Sequence, residues 1–184
     1  MKLQRKQSDK FTVLTNDPSL TAWGWAVIQN GTVIGTGCIK TQPEQKKRRI
    51  RKGDDTIRRI SIIVEILFNL IKTHHVNFVL SELPHGSQNA QAAVMIGVVT
   101  GIVQTMVEVL GLPVEWYSEQ DSKSYVLGKK AATKTEMVDA MYSRFGLPKD
   151  KPKYVKEAVA DALAIYCTAY NQSPTLKIMT KWTR

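Results

Sequence analysis

Three acidic residues stand where their neighbours are apolar. Asp17 sits in the turn Asn16-Asp17-Pro18-Ser19 directly after a β-prone run, and Glu82 ends the mostly apolar run that begins at Val76. Asp161 interrupts Ala158-Val159-Ala160-Asp161-Ala162-Leu163-Ala164-Ile165, an otherwise apolar helical stretch. A buried carboxylate without a partner is costly, so something must neutralise each of them. If the first and fourth strands lie side by side, Asp17 and Glu82 share one end of a sheet, and the last long helix can bring Asp161 against them. Oxygen donors converging without His or Cys form a site for a hard cation, Mg²⁺ or, as a substitute, Mn²⁺. Two such ions ~3.5–4 Å apart can activate a water and stabilise the leaving oxygen of a phosphodiester.

Each acid also has a plainer reading. Asp17 alone suits an Asx-turn, and Glu82 alone suits pairing with a buried Arg or Lys. Asp161 has no evident basic partner on its helix face, because Lys153 and Lys156 lie a turn or more upstream. Singly the plainer readings win for the first two; jointly the metal site wins.

The elements that must position these acids follow from periodicity. Runs at 11–14, 22–28 and 32–39 are β-prone, and the Asn30-Gly31 link between the second and third is a strong hairpin signal. Ile57, Ile60, Ile63, Val64, Leu67 and Ile71 recur at helical spacing and predict an amphipathic helix over 54–74. A buried strand follows at 76–80, then a long helix over 89–110, apolar almost all round and therefore expected to be central. A short strand at 113–117 leads to a short helix at 120–127. Thr133 with Glu136 forms a capping box that starts a helix to about residue 145. The last apolar helix is expected over 155–170. The order implies an α/β fold: a mixed five-stranded sheet, three antiparallel strands then alternating helix and strand, with helices on both faces. Residues 1–10 read as a basic N-terminal extension, 11–172 as a single domain, and 173–184 as a frayed C-terminal tail.

Composition narrows the partner. The 184 residues are 43% apolar and 23% charged, which suits one domain with a core and argues against wholesale disorder. Lys and Arg number 26 against 16 Asp and Glu, a surplus of +10 that points to a polyanion, nucleic acid before membrane. The two cysteines, Cys38 and Cys167, have neither CxxC spacing nor nearby His. No secretory signal follows the basic start, and Gln104 and Glu108 interrupt the best candidate span. A soluble, cytoplasmic protein with no membrane role is expected.

Four segments in register carry a family resemblance. The first is Val13 through Ala26, a strand, an Asp-Pro-Ser turn and the aromatic second strand Trp23-Gly24-Trp25. Glu82 with Gln88-Asn89-Ala90-Gln91-Ala92, Gly97 and Gly101 is similar to the second acidic segment. Tyr117 through Lys123 with Gly128, Lys134 and Met137 is similar to the third, and Ala160-Asp161-Ala162-Leu163-Ala164 to the fourth. In these segments the chain resembles the RuvC-type Holliday-junction resolvases, particularly their phage relatives, and the resemblance implies an RNase H-like fold and a Mg²⁺-dependent homodimer, with two ions per active site, that nicks two strands of a four-way DNA junction symmetrically. Asp17, Glu82 and Asp161 become metal ligands and catalytic residues. Lys134, also catalytic, and Lys123 match functional lysines that contact DNA. The helix over 89–110, with Gly97 and Gly101 permitting close approach, would contribute to the dimer contact.

Two positions depart from the family pattern. The family often has a fourth acid three residues before the last Asp, where this chain has Ala158. Glu157, four residues before Asp161, either supplies the missing metal-ligating oxygen or is a solvated surface residue. An aromatic usually follows the second acid, where this chain has Leu83-Pro84-His85; His85 either stacks or donates to phosphate, or is simply exposed.

Basic residues cluster between Lys40 and Arg59, nine against three acids, and between Asp121 and Lys156, nine against four. Arg48, Arg49 and Arg51 in the first cluster, with Lys129 and Lys130 in the second, are expected to contact phosphates. Competing readings are an RNase H-like nuclease acting on flaps, forks or structured RNA, and a catalytically silent DNA-binding protein. An actin-like phosphotransferase would need a second lobe that 184 residues do not supply.

Overall fold

The computed structural model describes residues 10–44 and 50–182. Arg48, Arg49 and nearly all of the basic N-terminal extension lie outside the described residues. The elements are β1 (Thr12–Asp17), β2 (Ala22–Gln29), β3 (Thr32–Lys40), α1 (Lys52–His74), β4 (Phe78–Glu82) and α2 (Ala90–Leu110). They continue with β5 (Val114–Tyr117), α3 (Glu119–Leu127), α4 (Lys134–Phe145), α5 (Lys153–Gln172) and α6 (Pro174–Trp182).

The expected mixed sheet of five strands forms in the order β3-β2-β1-β4-β5. β2 pairs antiparallel with both β1 and β3, whereas β1, β4 and β5 run parallel. The β2–β3 link is the two-residue Asn30-Gly31 turn, with φ of 49° and 82°, the left-handed pair that matches the twist of a tight hairpin. As expected, β1 and β4 are neighbours, with Asn16 opposite Ser81, so Asp17 and Glu82 emerge at the same carboxyl edge.

Alternation along the strands builds two cores. Val13, Ala26, Ile28, Phe78 and Leu80 face α4 and α5, packing on Met137, Met141 and Leu163. Leu14, Trp23, Val27 and Val79 face the other way, onto Ile63 and Leu67 of α1 and Val99 and Val103 of α2.

Two expectations need correction. α2 is not a central, buried helix: it buries only Val99, Val103 and Val107. Val94 is 59% and Val109 78% exposed. One face meets the core, and the rest of its apolar surface reaches outward. By length and composition α2 is apolar enough to cross a membrane, but its valines pack it against α1 and the sheet. The segment after residue 173 is not a frayed tail. It forms α6, and Leu176, 1% exposed, joins the core beneath α5. Pro174 occupies the first helical position of α6, where its missing N–H costs nothing.

Candidate active site

Three parallel strands end at one edge of the sheet, and the acids gather there. Asp17 is the last residue of β1, opposite Gly24 of β2. Glu82 is the last residue of β4, opposite Tyr117 of β5. The turn after β1 is closed by Ser19, whose Oγ accepts from the N–H of Thr21 and of Ala22, both at 3.3 Å. Asp17 is thereby left to face a cleft rather than to close its own turn.

α5 supplies the third acid because it lies directly on β2. A Cβ at Gly24 would stand 2.5 Å from the carbonyl carbon of Ala158, with the carbonyl oxygen nearer still, so only glycine permits this approach. The small residues Ala158, Ala160, Ala162 and Ala164 keep the packed face of the helix thin.

Asp17, Glu82, Asp161, Glu157, Glu119 and Lys134 line one cleft of about 330 Å³. Lys134 opens α4 immediately after Thr133, where the expected capping box is present. The Thr133 N–H donates to Glu136 Oε2 at 2.8 Å, and the Glu136 N–H donates to Thr133 Oγ1 at 3.3 Å. This cap sets the direction of the first turn and so aims Lys134 at the acids.

The electrostatics are those of a site short of positive charge. Desolvation, reinforced by the charges of Glu82 and Asp161, pushes the Asp17 carboxyl well above the ordinary range. Glu82 is pushed up to about 7 by desolvation and then by Asp161 and Glu119, with Lys123 and Lys134 pulling the other way. Asp161 rises to about 6, again chiefly through desolvation, with Lys134 opposing. Acids held this way favour either protons or a cation.

Among the described residues no three Asp, Glu, His or Cys side chains already close around a single point. The carboxylates instead face one another across the cleft. An all-oxygen donor set with excess negative charge fits a hard divalent ion, whose shell is ordinarily completed by water and substrate oxygens.

The remaining expected residues lie outside the cleft lining. Lys123 stands beside it, its Nζ 2.6 Å from Glu119 Oε1. His85 and Lys130 are exposed, Lys129 pairs with Glu136, and Arg51 Nε donates to Asp54 Oδ2 at 2.8 Å. Two cleft residues were not foreseen from sequence, Glu119 and Tyr154. The ring of Tyr154 carries Lys40 Nζ 4.0 Å from its centroid. A second cavity, of about 700 Å³, lies between the 18–21 turn, α1 and α2. Its one acid, Asp55, is already paired with Arg58 at 2.7 Å, so it lacks the means for hydrolysis.

Comparison with known proteins identifies the family. The family profile described as "Crossover junction endodeoxyribonuclease RuvC" matches residues 13–169. A RuvC from Chlorobium chlorochromatii is 34% identical over 158 residues, covering 82% of this chain and 77% of the relative. One from Shewanella woodyi is 28% identical over 168 residues, covering 89% of each. Among solved structures, Thermus thermophilus RuvC in complex with Holliday junction substrate superposes with a TM-score of 0.67 at 22% identity, over 86% of this chain and 92% of that one. The yeast mitochondrial Holliday junction resolvase gives 0.59 at 11% identity, over 97% and 82%. Fold, edge-of-sheet acids and profile converge: the chain belongs to the RuvC family of crossover junction endodeoxyribonucleases, with an RNase H-like fold.

Proposed function

We propose that this protein is a structure-selective endonuclease that resolves four-way DNA junctions by divalent-metal-dependent hydrolysis, acting as a homodimer that makes paired, symmetric nicks. The observation that carries the reading is the meeting of Asp17, Glu82 and Asp161, from segments far apart in sequence, in one cleft with Lys134. Family membership supports the reaction class, and the structurally similar Thermus protein was solved with a junction.

Asp17 and Asp161 would hold one cation, and Asp17 and Glu82 the other. Mg²⁺ ions held there, for which Mn²⁺ can substitute, supply a water of lowered pKa and charge stabilisation at the departing 3′ oxygen. The Lys134 ammonium offsets the charge that builds on the scissile phosphate. Lys123, beside the cleft, contributes to the same field. The products are a 5′-phosphate and a 3′-hydroxyl. Lys129, Lys130, His85 and the basic segment containing Arg48, Arg49 and Arg51 hold the arms of the junction by their phosphates.

The unburied apolar side of α2 supports the dimer. Val64, Phe68, Ile102, Met106 and Val109 border a groove of about 520 Å³ between α1 and α2, into which a second copy can pack. Residues 11–172 form the nuclease domain, which α6 extends, and the protein works in the cytoplasm, where its substrate is.

The test is direct. Asp17→Asn and Glu82→Gln proteins should fold, bind a synthetic four-way junction and fail to cut it in Mg²⁺. Wild-type cleavage by either variant would refute the site. Cutting of forks, flaps or RNA duplexes in preference to the junction would refute the substrate.

A further inference from the structure

The cleft contains an acid that the family pattern does not account for. Where an acid often stands one turn before the last Asp, this chain has Ala158, whose methyl group offers no donor. Glu119 enters the same cleft from a different element. It is the first residue of α3, two positions after Tyr117, the residue paired with Glu82. β5 thus delivers a carboxylate at the same edge where β1 delivers Asp17 and β4 delivers Glu82. The direction of the helix start is set by Ser118, whose Oγ accepts from the Asp121 N–H at 3.1 Å.

We propose that Glu119 supplies the fourth carboxylate of the metal centre, from the first turn of α3, in place of an acid at position 158. This rests on the metal-dependent reading of the cleft given above. Glu157, the alternative on α5, fits less well. The charge of Glu119 bears on Asp17, Glu82 and Asp161 alike, whereas that of Glu157 bears on Asp161 and ranks there behind Glu119.

The pairing of Glu119 with Lys123 makes the proposal specific. The two are 2.6 Å apart, so Lys123 and a divalent ion compete for one carboxylate. A residue that only positioned Lys123 would affect DNA cleavage without affecting cation affinity. A ligand would affect cation affinity in the absence of any DNA.

The experiment measures Mn²⁺ binding to the full chain without DNA, by the loss of the free-ion paramagnetic resonance signal and by calorimetry. Glu119→Gln is expected to weaken Mn²⁺ binding tenfold or more while melting cooperatively. Lys123→Gln should bind Mn²⁺ at least as tightly as the parent, because a competing cation has been removed. Glu119→Asp should recover part of the loss. If Glu119→Gln keeps the parent affinity while Asp17→Asn loses it, Glu119 is not a ligand and the metal centre stands without it. If Glu157→Gln produces the loss instead, the assignment passes to α5 and the proposal falls. If Asp17→Asn also keeps the parent affinity, the metal reading of the cleft itself is overturned.

Discussion

The Thr15 hydroxyl donates to the backbone carbonyl of Ala162 at 2.6 Å in the fully buried contact between β1 and α5. Thr15 lies two residues before Asp17, and Ala162 lies one after Asp161. Two acids 144 positions apart in the chain are thus referenced to one another through a single internal bond. The acceptor is main chain, so only a change at Thr15 removes the bond, which spans a dry interface and ties the β1 wall of the cleft to the α5 wall.

The raised acids make stability depend on pH in a specific direction. Glu82 keeps its proton to about 7 and Asp161 to about 6 in the metal-free native state, whereas the unfolded chain releases both at ordinary carboxylate values. In that window the native state holds more protons, so its stability falls as pH rises. Metal-free protein should therefore melt at progressively lower temperature from about pH 4.5 to about pH 7, and saturating Mg²⁺ should reverse the loss at neutral pH. Asp17→Asn removes one of the repelling charges. It should melt higher than the parent without metal, by roughly 2–4 °C per kcal/mol relieved in a chain of this size. Thermal melts monitored by circular dichroism check both; an Asp17→Asn protein less stable than the parent at pH 7.5 contradicts the electrostatic account.

Gly24→Ala tests the seating of α5. The added methyl would meet the main-chain carbonyl carbon of Ala158 at 2.5 Å, so the helix must lift from the sheet. Overpacking of this kind costs about 1–3 kcal/mol, occasionally more. Because Asp161 rides on α5, cleavage should fall further than junction binding. Equal losses in the two assays would mean that the helix had not moved the acid.

Junction binding without divalent ions should weaken steeply with salt, each neutralised phosphate contributing ~0.9 to the log–log slope. Lys130 is exposed in the 128–133 connection, free of the acidic cleft. Lys130→Ala should reduce the slope by about one phosphate's share and leave the cleavage pattern alone. Fluorescence anisotropy across a salt series measures this, and a slope near zero for the parent removes the phosphate-contact assignment.

What the sequence could reveal depended on contrast. Asp17, Glu82 and Asp161 were legible because each is an acid among apolar residues, and the Asn30-Gly31 hairpin because few other pairs adopt that turn. Glu119 had no such contrast: it sits in Ser118-Glu119-Gln120-Asp121, where a helix start explains every residue. α2 misled for the opposite reason, since periodicity cannot distinguish an apolar face covered by the same chain from one awaiting another. α6 was missed because a single buried leucine, Leu176, is too little pattern to mark a nine-residue helix.

The open side of α2 links folding to abundance. A valine 78% in water on a helix this apolar is surface that the proposed dimer would cover. Mass action then enters the folding equilibrium, and the melting temperature should climb as the protein is concentrated. If the proposed dimer forms, a cell holding few copies would keep it partly dissociated, with its twin cuts uncoupled.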